Sequence, residues 1–560
     1  MLDFPQIMHR LLPRVPALML AAALSAGAVP IEPQHPVYEF IRRLDLKGAI
    51  PPGFEGIRPW DSRDILSRLE AAEAGLDALQ PWERRNLEVY LQEFSPARRS
   101  QSTRLKVVDS AYSVFAGATF WGAGYVQDSL PEGQRFLSGS LTPHVEAAFW
   151  NGAYAASSGS VGMERSHVER FTETYKALDG LPYNTNRDGK NGIPQGVSTF
   201  DGFRVVAGFG KGPVRIDVGQ DWNRLGPGHW QNATLGTNSW FWVQDSLPAS
   251  DTVGFPGTMT PGRHRRGYRL PGENAPMPQL RLVFQGGRFA YVKVVAQRDG
   301  ILGDRLATLV AHRLEWHALP WLTVGGTELA SIGGRVPDPA YWIPLVPLKF
   351  MEHQARDKDN YALAMDAEAA LKGRGRVYGE LYLDDFSGPP FNFWGNKFAY
   401  TLGMEWLDPL QLPGVFRAEF AHVDPWVFTH HLPDRQHQHA GALYGSQLPG
   451  NAHALWMEAA MPLPRNLEAS LQYRFLQRDL RSRGSSIFDV FLQASDNREK
   501  AFLESGVETR NQVELDLTWR WRRHVEFKGG AGWLAVDDWK GQAGESLSSP
   551  TLLGELILRY

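Results

Sequence analysis

The sequence predicts an all-β transmembrane barrel of about 18 antiparallel strands, preceded by a small N-terminal α-helical module. Three observations support this fold class. Apolar and polar residues alternate along most of the chain, as in strands that have one apolar and one polar face. No window contains the run of roughly 18 apolar residues that a membrane-spanning helix needs. The 560 residues include 56 Gly and no Cys, which favours an exported β protein.

The composition excludes several classes of function. Without Cys, the chain cannot form disulfides, thiolate metal sites, iron–sulfur clusters or a thiol nucleophile. The formal net charge is −3, from 58 basic and 61 acidic residues, so there is no electrostatic footprint for nucleic acid. We therefore predict no nucleic-acid partner and no cofactor.

The first 28 residues have the features of a secretory signal peptide. Arg10 and Arg14 precede an apolar stretch at 17–24, and Ala26-Gly27-Ala28 supplies the small-x-small pattern of a cleavage site. The apolar stretch is far too short to span a membrane. We predict that residues 1–28 are removed and that the mature chain begins at Val29.

Residues 29–102 are predicted to form a helical module in the periplasm. Apolar residues recur at helical spacing from Val37, Asp61 or Ser62 can cap a second helix, and Pro81 can begin a third. Three short helices bury little surface by themselves, so we expect the module to pack on something larger.

Residues 103–560 are predicted to form the outer-membrane barrel. Leu515, Leu517 and Trp519 alternate with polar residues such as Thr518, and several runs of this kind have the roughly 9–11 residues that cross a bilayer when tilted. Strands of about 10 residues with connections of about 15 give roughly 18 strands, and plausible runs number about sixteen to twenty.

Aromatic residues near the ends of runs predict the girdles of a membrane barrel. They are Trp121, Trp150, Trp316, Trp406 and Trp533. The last residues, from Leu552 to Tyr560, form one apolar face that ends in an aromatic residue, as expected of a closing strand. The outer-membrane lipids are thus predicted partners of the outer face.

Charged residues on the polar faces predict a lumenal network that fixes strand register, because Arg is a forked donor suited to carboxylates. Direct contact of the same residues with a ligand is the alternative. The predicted network comprises Arg215, Asp217, Asp221, Arg224, Glu315, Glu328, Arg335, Glu419 and His430.

Two segments resemble metal sites weakly. The stretch from Asn184 to Gly189 matches the first half of a calcium loop, but it begins with Asn and has Gln195 at the twelfth position. Four histidines lie in one loop-like stretch without a carboxylate to complete a set. They are His430, His431, His437 and His439. We predict no metal site.

No catalytic constellation is apparent. The sequence lacks the G-x-S-x-G, H-E-x-x-H and G-x-x-x-x-G-K-[ST] motifs. The adjacent pairs Asp384-Asp385 and Asp537-Asp538 would point to opposite faces of a strand and make a poor glycosidase dyad. We predict that the chain is not an enzyme.

Several segments carry a family resemblance by their order and spacing. They include His35-Pro36-Val37-Tyr38-Glu39-Phe40, Arg58-Pro59-Trp60, the stretch from Asp217 to Gly228, Leu314-Glu315-Trp316, Gly403-Met404-Glu405-Trp406 and Pro425-Trp426. Together they resemble the capsule-assembly Wzi family of outer-membrane proteins. The stretch from Gly445 to Ala452 departs from the family pattern by reversing its Gly-Pro order.

The resemblance implies an 18-stranded barrel with a periplasmic helical bundle. It also implies a surface lectin that holds and organises capsular polysaccharide on the outer membrane. A diffusion porin has the same kind of outer face and stays open as the alternative. The two differ in the lumen, since mixed charges can cross-link into a plug whereas a porin keeps a continuous water path.

If the chain is a lectin, we expect binding in extracellular loops, because a polymer cannot enter a plugged barrel. Sugar rings stack on aromatic faces, and Arg suits acidic polymers. The candidates flank the long loop at 249–278 and are Trp230, Trp240, Trp242, Arg263, Arg265 and Arg266. Alternatively, these Trp residues belong to the outer girdle and these Arg residues contact lipid phosphates.

Overall fold

The structure is a computed structural model that describes most of the chain beyond the predicted signal peptide. It describes residues 29–102, 105–109, 111–127, 134–149, 151–166, 181–186, 197–236, 238–239, 272–273, 276–298, 307–356, 358–386, 388–389, 393–439, 442–486, 489, 500–521 and 524–560. Residues 1–28 lie outside the described residues, so their cleavage stays a prediction.

Eighteen antiparallel strands close into a barrel, which confirms the predicted fold class. In chain order, β1 to β18 are Tyr112–Gln127, Gln134–Phe149, Ala153–Ser166, Val197–Lys211, Val214–Asp221, Met277–Gly286, Phe289–Arg298, Ala307–Leu319, Leu322–Gly333, Asn360–Leu371, Gly375–Asp385, Lys397–Leu407, Val415–Val423, Ala452–Leu463, Leu467–Asp479, Val507–Trp521, Val525–Asp537 and Ser546–Arg559.

Each strand pairs with its neighbours in sequence, and β18 pairs with β1 to close the barrel. Two short strands complete the wall. Leu105–Val108 pairs with the first part of β1, beyond the last residue of β18. Leu181–Asn186 pairs with β4 beyond the end of β5.

On strands such as β16, the alternation of the sequence places apolar side chains outside and polar ones in the lumen. On β16, Leu517 is 45% exposed whereas Thr518 is 9% exposed. Trp316, Trp406 and Trp533 are exposed on the outer face, as predicted for the girdles. Trp121 differs, because its indole N–H donates to Glu555 at 2.7 Å and its side chain lines a cavity in the lumen.

The two ends of the barrel differ in the length of their connections. At one end, strands are joined by short turns such as 212–213, 287–288 and 372–374. At the other end, strands are joined by long connections, whose described parts include 222–236 and 424–439. We call these the short-turn end and the long-loop end.

Within residues 29–102, which the structure describes, four helices precede the barrel: α1 (Val37–Leu46), α2 (Ser62–Glu73), α3 (Pro81–Phe94) and α4 (Pro96–Ser102). The carboxylate of Asp61 caps α2 by accepting from the backbone N–H groups of Arg63 and Asp64, both at 3.0 Å. Among the described residues, no helix is long and apolar enough to cross a membrane.

The helices lie across the mouth at the short-turn end. Arg43 of α1 donates to the carbonyl of Gly414 at 2.7 Å, in the turn between β12 and β13. Arg63 of α2 donates to the carbonyl of Gly210 on β4, and Arg99 of α4 pairs with Glu146 on β2 at 2.6 Å. Because these contacts lie at separate points around the wall, the helices bridge the mouth.

Candidate functional site

Two segments from the long-loop end fold into the lumen, and they contact each other there. They are 222–236, between β5 and β6, and 424–451, between β13 and β14. The side chain of Gln231 donates to Ser446 Oγ and accepts from the backbone N–H of Gln447, each at 2.6 Å. Gln231 and Gln447 are each only 1% exposed, so these amides lie inside the barrel rather than at its surface.

The carboxylate of Glu419, on β13, anchors the first inward segment. It accepts from the backbone N–H groups of His229 at 2.6 Å, Trp230 at 3.1 Å and Gln231 at 2.6 Å. It also accepts from the hydroxyl of Tyr378 on β11 at 2.6 Å. Hydrogen bonds to an ionised acceptor are strong, so Glu419 holds this turn of backbone firmly against the wall.

The wall strand β11 provides two further anchors for the same turn. Glu380 accepts from the backbone N–H of Ala233 at 3.0 Å, and Arg376 donates to the carbonyl of Pro227 at 3.1 Å. At Gly228, a Cβ atom would collide with the carbonyl oxygen of Gln231. Only glycine fits this close approach of backbone to backbone.

An apolar core joins the helical module to the inward segments. Ile57, before α2, pairs with Leu225 in a two-residue antiparallel ladder. Phe54 and Ile57 belong to the same buried cluster as Phe428 and Leu448 of the second inward segment. Wall residues of β6 to β15 complete this cluster. We call this part of the lumen the filled half.

The rest of the lumen, along β1 to β4 and β16 to β18, encloses a cavity of about 1450 Å³. We call it the cavity half. Its wall includes short hydroxyl side chains on β2 and β3, where Thr142 and Ser160 are hydrogen-bonded at 2.8 Å. Tyr90 of α3 and Trp121 of β1 contribute aromatic surface to the same cavity. Hydroxyls and aromatic rings together suit a polar solute with apolar faces.

A ladder of charges crosses β4, β5 and β6 on the lumenal face. Arg281 donates to Asp217 at 2.7 Å and to Asp221 at 2.8 Å. Asp221 also accepts from Arg204 at 2.7 Å, and Asp217 from Arg215 at 3.2 Å. Alternating charges of opposite sign on neighbouring strands oppose a slip of register, since a slip would leave buried charges unpaired.

A second group of charges links the wall to the module. Glu405 on β12 lies 3.4 Å from Arg42 of α1 and 3.5 Å from both Arg376 and Arg417. Arg42 also pairs with Glu39 one turn earlier at 3.1 Å. Burial raises the pKa of Glu39, but Arg42 and the other nearby cations hold that pKa well below its ordinary value.

The predicted lumenal residues fall into different places. Asp217 and Asp221 belong with Arg215 to the ladder, and Glu419 is the anchor described above. Glu315 on β8 is buried in the lumen and pairs with Arg313 at 3.1 Å. Arg224 donates to carbonyl groups of its own segment, Gly228 and His229.

Three predicted members lie away from the lumenal network. Thr327 on β9 faces the lumen, where it accepts a hydrogen bond from Arg313 at 3.2 Å. Because successive side chains of a strand point to opposite faces, Glu328 faces the outside of the barrel. Arg335 pairs with Asp359 in the connection between β9 and β10. His430 lies in the second inward segment against His431, and burial lowers its pKa to about 3.

The predicted polysaccharide-binding residues are described in part. Trp230 is half-buried inside the barrel, with its ring edge-on to His229 at 4.5 Å, so it does not flank an outer loop as predicted. Trp240, Trp242, Arg263, Arg265 and Arg266 lie outside the described residues.

No metal site occurs in the part of the chain that the structure describes. It contains no group of three or more His, Asp or Glu side chains that could hold a metal ion. His437 is buried and hydrogen-bonded to Tyr382 at 2.9 Å. The calcium-like stretch beginning at Asn184 falls mostly outside the described residues.

Several lumenal residues were missed by sequence reasoning. Arg281 is the centre of the charge ladder, and Glu380 anchors the inward turn. A signal for Arg281 was present, since it alternates with the apolar Leu280 and Leu282. The partner of Glu380 is a backbone group far away in the sequence, and no side-chain pattern reports such a partner.

Comparisons with known proteins give a likeness of fold. No family model and no curated protein sequence matches the chain. Among solved structures, the chain is similar to Wzi from Escherichia coli, described as an outer-membrane protein involved in group 1 capsule assembly and a carbohydrate-binding β-barrel. The TM-score is 0.53 at 13% identity, over 95% of this chain and 99% of that chain.

The chain is also similar to two barrels of Pseudomonas aeruginosa. For OprD the TM-score is 0.39 at 8% identity, over 79% of this chain and 95% of that chain. For OccK5 (OpdH) it is 0.42 at 9% identity, over 80% of this chain and 98% of that chain. At these identities the likeness concerns the fold, that of an outer-membrane β-barrel, and function has to be inferred from the residues themselves.

Proposed function

We propose that the protein is a non-enzymatic outer-membrane barrel of the Wzi type that binds surface polysaccharide and helps to attach it to the cell. Short turns of outer-membrane barrels face the periplasm and long loops face outwards. In this orientation the helical module closes the periplasmic mouth and the long-loop end faces the polymer.

The observation that carries the proposal is the filling of the lumen. Glu419, Glu380 and Arg376 fix the first inward segment to the wall, and its contacts with Ser446 and Gln447 fix the second. A barrel filled in this way is a rigid platform for outer loops. Rigid presentation lowers the entropy cost of binding a flexible polymer.

The chemistry of binding is assigned to the long loop at 249–278. Arg263, Arg265 and Arg266 provide forked donors for the carboxylates and hydroxyls of an acidic polysaccharide, and Trp240 and Trp242 provide faces for sugar rings. Binding outside the lumen would let a long polymer lie across the barrel without threading through it.

The test replaces Arg263, Arg265 and Arg266 together by Ala. A matched control replaces three exposed Arg residues in turns at the opposite end, Arg288, Arg374 and Arg465. Retention of polysaccharide on cells and binding to a glycan array are measured, with heat-dependent gel mobility as the check that each barrel is folded. We expect lost retention in the loop variant alone; unchanged retention in a folded loop variant would remove this loop from the binding site.

A diffusion channel is the second candidate, favoured by the cavity of about 1450 Å³ beside the filled half. Its hydroxyl-lined wall is compatible with a water-filled path along β1 to β4. A diffusion channel and a barrel with a closed lumen have the same kind of outer face, so electrical conductance is the property that distinguishes them.

A further inference from the structure

We propose that the connection between β9 and β10 is a membrane-embedded flap, which lies against the outer wall of the barrel and presents apolar side chains to lipid acyl chains. We call residues 334–356 the flap. It contains a 3-10 turn, Pro339–Trp342, and helix α5, Leu348–Gln354. This inference concerns the outside of the barrel and is independent of what the outer loops bind.

Backbone hydrogen bonds attach the flap to the outer face of the wall. The N–H of Leu345 donates to the hydroxyl of Tyr291 on β7 at 3.0 Å. The N–H of Leu348 donates to the carboxylate of Glu328 on β9 at 2.9 Å. The flap therefore folds back along the barrel instead of projecting from its rim.

An apolar cluster on the outer face reinforces this attachment. Tyr341 and Leu348 of the flap are 0% exposed, packed against Val310 on β8 and Ala330 and Ile332 on β9. Val310 and Ile332 alternate with the lumenal Leu309 and Ser331, so the cluster covers the wall from outside. In lipid this packing gains van der Waals contacts rather than removing apolar surface from water, so a close fit positions the flap on the wall.

The other side of the flap is apolar and exposed. Trp342 is 47%, Ile343 53%, Leu345 71% and Phe350 62% exposed. From 339 to 348 the sequence reads Pro-Ala-Tyr-Trp-Ile-Pro-Leu-Val-Pro-Leu, without a charged residue. An exposed apolar surface of this kind marks a contact with lipid or protein.

The exposed face of the flap is continuous with the apolar outer surface of the barrel, and this identifies the molecule that contacts the flap as lipid. Leu314 and Trp316 lie on the same outer face of β8 as the wall beneath the flap, and they are 48% and 41% exposed. In a barrel that crosses a bilayer, these side chains contact acyl chains. The exposed face of the flap extends this apolar surface towards the long-loop end.

Part of the backbone of the flap has the hydrogen bonds that an apolar solvent requires, since unpaired polar groups are costly in lipid. Pro339, Pro344 and Pro347 have no N–H to satisfy. Besides the two bonds to the wall, several N–H groups find acceptors within the flap, among them those of Ala340, Tyr341, Ile343 and Phe350. These N–H groups therefore do not need water as a hydrogen-bond acceptor.

The flap also covers ionisable side chains that would otherwise face hydrocarbon. His312 Nε2 lies 2.6 Å from Glu328 Oε2, and the hydroxyl of Tyr361 donates to the same carboxylate at 2.6 Å. Lys293, on the same outer face, is only 3% exposed. Ionisable groups at membrane depth are costly unless they are paired and shielded. The flap shields these side chains from lipid, and the backbone N–H of Leu348 provides one of the hydrogen bonds to Glu328.

The test uses the absence of Cys from the chain. Single variants Leu345→Cys and Phe350→Cys are labelled with an environment-sensitive fluorophore, and the full barrel is folded into phosphatidylcholine vesicles with brominated acyl chains. Leu314→Cys on the wall is the lipid-facing control, and Glu504→Cys, exposed in the long connection before β16, is the aqueous control. Iodide serves as the aqueous quencher.

We expect the probes at Leu345 and Phe350 to be quenched by brominated chains within about twofold of the probe at Leu314, and to be protected from iodide. Iodide quenching equal to that at Glu504 would overturn the proposal. Protection from both quenchers, with a disulfide-linked dimer of unlabelled Leu345→Cys, would overturn it in favour of a second copy of the chain. No bromine quenching at Leu314 would show that the barrel is not in the bilayer, and that would overturn both this proposal and the proposed function.

Discussion

The filled half and the cavity half of the lumen share one barrel but have different walls. The wall of the filled half carries long charged side chains, such as Arg376, Glu380 and Glu419, which bind the backbone of an inward segment. The wall of the cavity half also carries charged side chains, such as Glu514 and Asp516, but on β2 and β3 it carries short hydroxyl side chains, such as Thr142 and Ser160, which bind each other. The short side chains of β2 and β3 leave room for the cavity, whereas the inward segments occupy the filled half.

The difference also shows how a polar interior is made stable. Donors of the inward backbone meet carboxylates of the wall, so that burial does not leave them unpaired. The predictions below test this division between the two halves, and they are ordered from the largest expected effect to the smallest.

The largest effect is expected at the anchor of the filled half. Glu419→Ala leaves three backbone N–H groups and the hydroxyl of Tyr378 without their acceptor, and should cost about 3–5 kcal/mol. Glu419→Gln keeps one carbonyl acceptor and should cost less. Denaturant unfolding of the three proteins in detergent measures the difference. Equal stability of wild type and Glu419→Ala would mean that the inward segment is not held by this carboxylate.

A second experiment compares the outside with the lumen on one strand of the cavity half. Leu517→Arg places a charge in the lipid and should cost about 2–4 kcal/mol if the residue lies near the bilayer midplane. Thr518→Arg places the same charge in the lumen, where Asp516 and Glu514 lie on the same face of the strand, and should cost much less. Folding in lipid vesicles measures both. Equal penalties would contradict the assignment of the two faces.

A third experiment compares the two halves directly. Ala421 on β13 is 0% exposed in the core of the filled half, whereas Ser158 on β3 lines the cavity. Ala421→Trp should cost about 1–3 kcal/mol by overpacking, and Ser158→Trp should cost little because the cavity has room. Thermal unfolding on gels reports both. A large loss for Ser158→Trp would show that the cavity half is already packed.

The smallest effect on the barrel itself is expected from pH, which acts on the helical module. Burial, with the nearby Glu55, raises the pKa of Asp45 from 3.8 to about 7. A raised carboxyl pKa means that the folded state holds the proton longer, so stability falls as pH rises from about 4 to about 7. Asp45→Asn should remove this dependence while keeping an acceptor for the N–H of Gly53. Hydrogen exchange of α1 at several pH values is the measurement; identical slopes in both proteins would contradict the prediction.

The sequence predicts the wall well, because every wall position has two possible faces and the alternation selects one. Leu517 and Thr518 lie on the faces that their polarity indicates, and the strand count follows from chain length. Asp61 also caps α2 as its residue type indicates. These features depend on local pattern, which a single sequence contains.

The contents of the lumen and the exceptions on the wall could not be predicted in this way. Gln231 and Gln447 have the polarity of surface loops, and only their distant partners make burial possible. Glu328 breaks the alternation because the flap covers it, and Trp121 faces the lumen because Glu555 accepts its N–H. Each exception depends on a contact between segments far apart in the sequence.

The measurement that tests the account most directly is the conductance of the wild-type barrel in planar lipid bilayers. If the inward segments and the helical module close the lumen, insertion should produce no steady ohmic steps. Folded, heat-modifiable protein in the same preparation shows that the silent barrel is intact. Steady ohmic steps from the wild-type protein would contradict the plugged platform and identify the cavity half as a path for diffusion.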